Sequence, residues 1–181
     1  MYGYHEQRVT VWISVDRGVG EEYLRHRNSS FSKESTRYCR YSNKKFGNHI
    51  TTIIPETDFP DMPEAEYTLE GDTVIAREIG GDKILRVYEK GSVEYTYLKG
   101  QLECEKAYMD LLNIHKWTAQ SARRSLSLAT KGEFVMTAFL SDWQHVFDLR
   151  THEITGKCHP DMKHIDDRIY QAFIDKGYPI K

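Results

Sequence analysis

The alternation of polar and apolar side chains from Arg8 to Val15 constrains the fold of this chain more than any other pattern. Apolar residues recur there at every second position, which is the period of a half-buried β-strand. Residues 16–18 then turn the chain into a short helix. That helix is expected to carry Tyr23, Leu24, His26 and Arg27.

The middle of the chain contains β-rich runs separated by the turn pairs Gly80-Gly81 and Lys90-Gly91. Turn signals at intervals of about ten residues are typical of an antiparallel meander. We interpret residues 67–100 as an inserted β meander with a structural or oligomer-contact role rather than a catalytic one. Its strands are expected at residues 73–76, 84–88 and 93–98.

Helical spacing returns at about residues 102–116, and an apolar run at 134–140 predicts a buried strand. Ser141 and Asp142 can cap the helix that follows. A last helix at about 162–176 is expected to stop at Gly177, which favours a helix end. Its expected buried residues are Ile165, Ile169, Ala172 and Phe173.

Length and charge restrict the class of protein. A chain of 181 residues is expected to form one domain, 1–181, with a sizeable core. Its net charge of −2 and pI of about 6.4 provide no overall field toward nucleic acid. No run approaches the roughly eighteen apolar residues of a membrane span, and the first residues lack a signal-peptide core. Three cysteines without metal-ligand spacing favour free thiols in a reducing cytosol. We therefore expect a cytoplasmic protein that binds no metal, membrane or nucleic acid.

The segment from Tyr23 to Tyr38 concentrates hydrogen-bond donors. It contains three arginines, one histidine, one lysine and five serine or threonine hydroxyls, with a single carboxylate. One interpretation is a solvated charged face beside a loop. The other is a binding site for phosphate and carbonyl oxygens, which suit the rigid fork of arginine.

The order of the residues favours the second interpretation. The string RHRxxSFxxESTRY, from Arg25 to Tyr38, resembles the signature of the flavin-dependent thymidylate synthases. Other segments resemble the same family in the same order, namely residues 16–19, 39–42, 45–47, 105–108, 122–123, 133–137, 143–150 and 159–162. The resemblance implies an α+β fold in which an antiparallel sheet is packed by helices, with residues 29–34 as a loop against a ligand.

Roles follow from the resemblance residue by residue. It implies that Arg37, Arg123 and Arg150 converge on one nucleotide, with Ser35 beside the phosphate and Glu34 as the signature carboxylate. The residues that it places against the flavin are Arg25, His26, Arg27, Ser30 and His145. A covalent role for Ser35 is disfavoured, because a serine nucleophile needs an adjacent base.

The implied reaction uses FAD, with NADPH and methylenetetrahydrofolate as co-substrates, to convert dUMP to dTMP. Arg150 is the implied catalytic residue, because its donors on the uracil oxygens would stabilise negative charge on the ring. The expected partners are a small-molecule nucleotide and a folate. The family also implies a homotetramer with active sites between subunits.

Arg150 is informative without the resemblance as well. It follows Trp143, Val146 and Phe147 at helical spacing, so its guanidinium shares an apolar stripe and needs a partner. That partner could be a ligand, or a structural carboxylate such as Glu133. A side chain that reaches solvent at the helix end is a further alternative.

Several departures from the family pattern bear on the cofactor. The family's Gly-Asn-Leu-Arg is replaced by residues 138–141, so that Phe139 and Ser141 stand where an amide and a guanidinium are usual. The flavin-holding segment that precedes the first strand in family members has no counterpart apart from His5. We therefore expect weak flavin binding. The alternatives are modification of another pyrimidine nucleotide, or a non-catalytic nucleotide-binding or partner subunit without FAD.

Overall fold

A computed structural model describes residues 7–43 and 47–181, so His5, Lys45 and Phe46 of the motifs above lie outside the described residues. The chain divides into two compact units, Met1–Glu34 with Lys131–Lys181, and Ser35–Thr130. The expected single domain stays a prediction. No helix in these described ranges is long and apolar enough to cross a membrane.

Helices and strands succeed each other as the α+β class requires. In chain order they are β1 (Arg8–Asp16), α1 (Arg17–Tyr23), β2 (Ser30–Lys33), β3 (Glu66–Glu70), β4 (Thr73–Arg77), β5 (Ile84–Glu89), α2 (Val93–Asn113), α3 (Ala119–Ala122), a 3₁₀ turn (Arg123–Ser125), β6 (Lys131–Phe139), α4 (Leu140–Arg150) and α5 (Pro160–Asp175). The two sheets contain three strands each, and all of their strand pairs are antiparallel. The predicted fold class is confirmed.

The first unit is a three-stranded sheet covered on one face by helices. Its strand order is β1-β6-β2, with Arg8 opposite Phe139 and Ser30 opposite Thr137. Buried and half-buried residues alternate along β6, which is the pattern expected when one face of a strand packs on a core. The largest fully buried side chains on that side are Tyr23, Met136, Leu140, Trp143, Phe147 and Met162.

The predicted first strand, the strand at 134–140 and the last helix are confirmed in this unit, with small shifts of their ends. Residues 29–34 are a correction, because most of them form β2 and pair with β6 instead of forming a loop. The predicted cap of α4 is also wrong. This helix begins earlier, at Leu140 after Phe139, and Ser141 and Asp142 lie inside its first turn. Ala172 of α5 is exposed rather than buried.

The second unit contains the predicted meander, with one strand exchanged. Strands β4 and β5 lie where expected, but the third strand is β3, which precedes them. The run at 93–98 is the first turn and a half of α2, where Tyr95 and Leu98 pack on Val74 and Tyr88. Ser92 explains the difference, since its hydroxyl accepts a hydrogen bond from Tyr95 N at 3.1 Å and caps the helix.

Candidate functional site

A polar cleft in the first unit brings together five of the residues that the sequence singled out. The cleft has a volume of about 310 Å³, at the lower end of the range for small-molecule sites. It lies between helix α4 and the turn that follows α1. The singled-out residues that line it are Arg25, His26, Arg27, His145 and Arg150, and their roles stay predictions.

The arginine–histidine–arginine triplet is a turn and not the continuation of α1, which corrects the expectation that His26 and Arg27 are helical. The helix ends at Tyr23, and Arg25 N and His26 N donate to the carbonyls of Glu22 and Tyr23 at 3.1 and 3.0 Å. This geometry separates the three side chains. His26 is buried with 9% of its surface exposed, while Arg25 and Arg27 are exposed on either side of it.

Arg150, the last residue of α4, is held from the opposite element. Its Nε donates to His26 Nε2 at 3.4 Å, and its Nη1 lies 3.5 Å from Glu22 Oε2. The structural ion pair that the sequence offered as an alternative is present, but its carboxylate is Glu22 and not the example Glu133, which is bound by Lys131 at 2.6 Å. The side chain of Arg150 retains 20% exposure, and so part of the guanidinium remains accessible in the cleft.

The His26 imidazole acts as an acceptor toward Arg150. Burial, together with the neighbouring Arg150 and His145, lowers the pKa of His26 to about 4. At neutral pH the ring is therefore uncharged. Since Nε2 accepts from the guanidinium, the proton of the ring belongs on Nδ1. A neutral His26 orients Arg150 without adding a second positive charge.

A fully buried carboxyl group, that of Asp166, is close enough to Arg150 for the charge of the guanidinium to act on it. Asp166 of α5 has no exposed surface, and its Oδ1 accepts a hydrogen bond from Tyr23 Oη at 3.0 Å. Its Oδ2 is buried without a hydrogen-bond partner among the described residues. Burial raises the pKa of Asp166 to about 7, although the bond from Tyr23 and the charge of Arg150 oppose that rise. This carboxyl therefore holds a proton in a large fraction of molecules at neutral pH.

The other end of the cleft carries an acceptor. Asn28 Nδ2 donates to Asp142 Oδ1 at 3.3 Å, and both residues line the cleft. Ser29 lines it as well, and its Oγ is buried with no partner among the described residues. A polar atom in this state costs free energy unless a ligand or water satisfies it.

Two residues predicted to contact ligands lie in the first unit but are not among the residues that line the cleft. Ser30 is exposed at the start of β2 opposite Thr137, and Glu34 follows the end of β2 with its N–H bonded to Glu133 O at 3.0 Å. Their roles also stay predictions.

The remaining candidates lie in the second unit. Ser35 O accepts from Tyr38 N at 3.0 Å in a turn, and Arg37 Nε donates to Gln120 Oε1 at 3.3 Å. Gln120 belongs to α3, which leads directly into the 3₁₀ turn that begins at Arg123. Arg37 is thus bound to the segment that carries Arg123. The convergence of both arginines with Arg150 stays a prediction.

Three lining residues were not identified as site residues from the sequence, namely Asn28, Asp142 and Leu149, and neither was Glu22, the partner of Arg150. Ser29 belongs to the range 29–34 that the resemblance placed against a ligand. Helical spacing could have indicated Asp142 and Leu149, because residues 142, 145 and 149 are at i, i+3 and i+7 and therefore share one face of α4 with the candidate His145. For Asn28 the relevant information is the turn after Tyr23, which has no periodic pattern.

The donors present fit an anionic or carbonyl-rich aromatic ligand such as a flavin. Arg25, Arg27 and Arg150 supply guanidinium donors, and the orphan hydroxyl of Ser29 supplies a further polar contact. A flavin bound there would supply redox chemistry that no side chain of the protein can supply.

Comparisons with known proteins show the family and the fold of the chain. The family model described as Thy1, thymidylate synthase complementing protein, matches residues 6–176. No protein of curated function matches the sequence significantly.

Solved structures show the same fold. The UMP/dUMP methylase PolB from Streptomyces cacaoi, bound with 5-Br dUMP, superposes with a TM-score of 0.65 at 16% identity, covering 95% of this chain and 68% of that one. Thymidylate Synthase X (ThyX) from Helicobacter pylori, with FAD and dUMP, gives a TM-score of 0.60 at 18% identity, covering 93% and 68%.

Proposed function

The chain belongs to the thymidylate synthase complementing protein family, and from this premise we propose that it transfers a one-carbon group to the pyrimidine ring of a uridine nucleotide in a flavin-dependent reaction. The observation that carries the proposal is the environment of Arg150. A partly accessible guanidinium, oriented by a neutral histidine, lies in one cleft with two further arginines.

Arg150 contributes by stabilising charge. When a nucleophile or base acts on a pyrimidine ring, negative charge accumulates on the ring oxygens. A guanidinium aligned with those oxygens stabilises the charged form, which is the action of an oxyanion hole. Glu22 and His26 fix the direction of the guanidinium before the substrate arrives, so less orientational entropy is lost on binding.

Arg25 and Arg27 provide charge rather than chemistry. Both are exposed residues of the cleft lining, and their guanidinium groups suit phosphate or carbonyl oxygens. FAD is the proposed cofactor, and the relative from Helicobacter pylori contains both FAD and dUMP. NADPH as reductant, methylenetetrahydrofolate as carbon donor and dTMP as product complete the proposal.

A second candidate differs in the substrate. The relative from Streptomyces cacaoi is a UMP/dUMP methylase, and it superposes with a higher TM-score than the thymidylate synthase does. The ribonucleotide UMP is therefore included beside dUMP as a candidate substrate.

The test compares Arg150→Ala with Arg168→Ala, an exposed arginine of α5 outside the cleft. The purified protein is loaded with FAD, and tritium release from [5-³H]dUMP and [5-³H]UMP is measured with NADPH and methylenetetrahydrofolate. We expect Arg150→Ala to lower turnover by about 100-fold or more, as loss of an oxyanion donor does. Arg168→Ala should retain turnover.

Two results would contradict the proposal. Wild-type turnover in Arg150→Ala, with a native circular dichroism spectrum, would remove the catalytic role of that residue. Nucleotide binding without any flavin absorbance or tritium release would identify a non-catalytic subunit.

We also propose a homotetramer, on the basis of family membership. Light scattering at micromolar concentration tests it, and a monomeric mass would contradict it.

A further inference from the structure

The polar groups of the cleft are arranged by sign along helix α4. Asp142, His145 and Leu149 lie on one face of this helix at i, i+3 and i+7, and Arg150 follows. Asp142 and Arg150 are eight positions apart, which corresponds to about 12 Å along the axis. The facing turn matches this order, since Asn28 bonds to Asp142 and His26 bonds to Arg150. The cleft therefore has an acceptor end and a cationic end.

The carboxylate of Asp142 forms no ion pair with the three arginines of the cleft among the described residues. Its partner there is the amide of Asn28, which occupies Oδ1. An ionised carboxylate has two oxygens and only accepts hydrogen bonds, so Oδ2 retains acceptor capacity.

The charge of Asp142 restricts what can bind beside it. A phosphate at this end would meet a like charge from Asp142, whereas the guanidinium of Arg150 at the cationic end attracts it. The groups that suit Asp142 are neutral donors, which in a uridine nucleotide or in the riboflavin part of a flavin cofactor are sugar-type hydroxyls or a ring imide N–H. The imide lies on the aromatic ring, and the ring belongs with the guanidinium of Arg150, about 12 Å away along the helix. The hydroxyls remain.

We propose that Asp142, positioned by Asn28, is a specificity-determining residue that accepts hydrogen bonds from the hydroxyl groups of a ligand's sugar or polyol chain. The inference rests on the proposed function and extends it to the part of the ligand that does not react. The same chemistry occurs in the ribityl chain of a flavin and in the ribose of UMP. A site built to bind a hydroxyl discriminates strongly against an analogue that lacks it.

Two ligand pairs distinguish the sources. Riboflavin and lumiflavin share the ring and its imide N–H, but only riboflavin has the ribityl hydroxyls. UMP and dUMP share the base and phosphate and differ in the 2′-hydroxyl. Dissociation constants are measured by flavin fluorescence and by calorimetry for the full chain, Asp142→Ala and Asp142→Asn. The control is Asp175→Ala, because Asp175 also accepts from one carboxamide, that of Gln171 at 2.8 Å, on an exposed part of α5.

We expect the wild-type chain to prefer riboflavin to lumiflavin, or UMP to dUMP, by about tenfold or more, as for a hydrogen bond to a charged group. Asp142→Ala should abolish that preference, Asp142→Asn should retain part of it, and Asp175→Ala should retain all of it. The pair that responds identifies the source. Because the readout is a ratio, a loss of folded protein lowers both affinities and leaves it unchanged.

If Asp142→Ala leaves both ratios at their wild-type values, or if the wild-type chain shows no preference within either pair, Asp142 does not read hydroxyls and the inference is overturned. In that case the chain still binds flavins or nucleotides, and so the proposed function is not contradicted. If the wild-type chain binds neither flavins nor nucleotides, the proposed function fails, and this inference fails with it.

Discussion

The ion pair between Arg150 and Glu22 sets how strongly the cleft attracts an anion. The two side chains are 20% and 36% exposed and 3.5 Å apart, so solvent screens their attraction. Pairs of this kind contribute about 0–1 kcal/mol. A bound ligand can therefore replace Glu22 as the partner of the guanidinium at small cost, which is compatible with a binding role for Arg150.

The substitution Glu22→Gln should tighten the binding of an anionic nucleotide. It keeps an acceptor for Arg150 but removes the competing negative charge, and the expected gain is up to about fivefold in affinity. Calorimetry with dUMP measures it. The matched control is Glu21→Gln, which removes one negative charge at the neighbouring position. Glu21 pairs with Lys33 at 3.0 Å and not with Arg150. Equal effects of the two substitutions would show that net charge, and not release of Arg150, is responsible.

Asp166 makes stability depend on pH in a direction unusual for a carboxylate. Its pKa is raised from 3.8 to about 7 in the folded chain, chiefly by burial. Between these values the folded chain holds a proton that the unfolded chain has lost. Stability from this group therefore declines as the pH rises from about 4 to about 7. The groups that modulate the pKa of Asp166 besides burial are Tyr23, Arg150, Asp167 and Lys163.

His26 acts in the opposite direction, because its pKa is lowered from 6.5 to about 4 and it resists protonation when folded. Its contribution declines as the pH falls from about 6.5 to about 4. Asp166→Asn removes only the first effect. We therefore expect the stability of this variant relative to wild type to be higher at pH 8 than at pH 5 in urea denaturation. A difference that is independent of pH would contradict the raised pKa of Asp166.

At the scale of elements, the sequence predicted strands better than their boundaries with helices. The strands β1, β4, β5 and β6 follow from alternation and turn residues, because both are local. The run at 93–98 was misassigned because its β-branched and aromatic residues suit a strand, whereas the structure uses them in a capped helix. Here the contacts of Tyr95 and Leu98 with the β4–β5 pair outweigh local propensity.

The cap at Ser92 is therefore a test of what selects helix over strand. Ser92→Ala removes the acceptor for Tyr95 N and should lower the free energy of unfolding by about 1 kcal/mol. Ser92→Asp keeps an acceptor and adds a favourable charge at the helix start, so it should retain stability. Chemical denaturation followed by circular dichroism measures both. If the two variants lose equal stability, the side chain of Ser92 does not cap α2.

The candidate site shows the same division between local and non-local information. The triplet at residues 25–27 and Arg150 could be named as candidate site residues because they match motifs of the family. Glu22, Asn28 and Asp142 could not, because their relevance arises when the turn after α1 faces α4. Such pairings between residues more than a hundred positions apart leave no periodic signal in a single sequence.

At the scale of the whole molecule, the residue before α4 bears on the prediction that a flavin binds weakly. Phe139, which by the family resemblance stands in place of an amide, precedes α4 without a side-chain cap, and the guanidinium of Arg8 lies 4.7 Å from the centre of its ring. One face of this ring is therefore already covered by a cation. Phe139 cannot replace the lost hydrogen bonds, and stacking compensates only in part, by about 0.5–1.5 kcal/mol.

We therefore expect FAD to bind weakly alone and more tightly with nucleotide, because a pyrimidine stacked on the flavin ring adds contacts to both ligands. Coupling of this type typically changes affinity by about 5–150-fold, and the change must be equal for both ligands. Flavin titration with and without dUMP, and dUMP titration with and without FAD, measure the two factors, with AMP as the control nucleotide. Phe139→Asn should tighten FAD binding without dUMP. Tight binding of FAD to the wild-type chain alone would show that Phe139 and Ser141 have little effect on flavin affinity. Unequal factors in the two titrations would mean that FAD and dUMP do not bind together to one site in the way proposed.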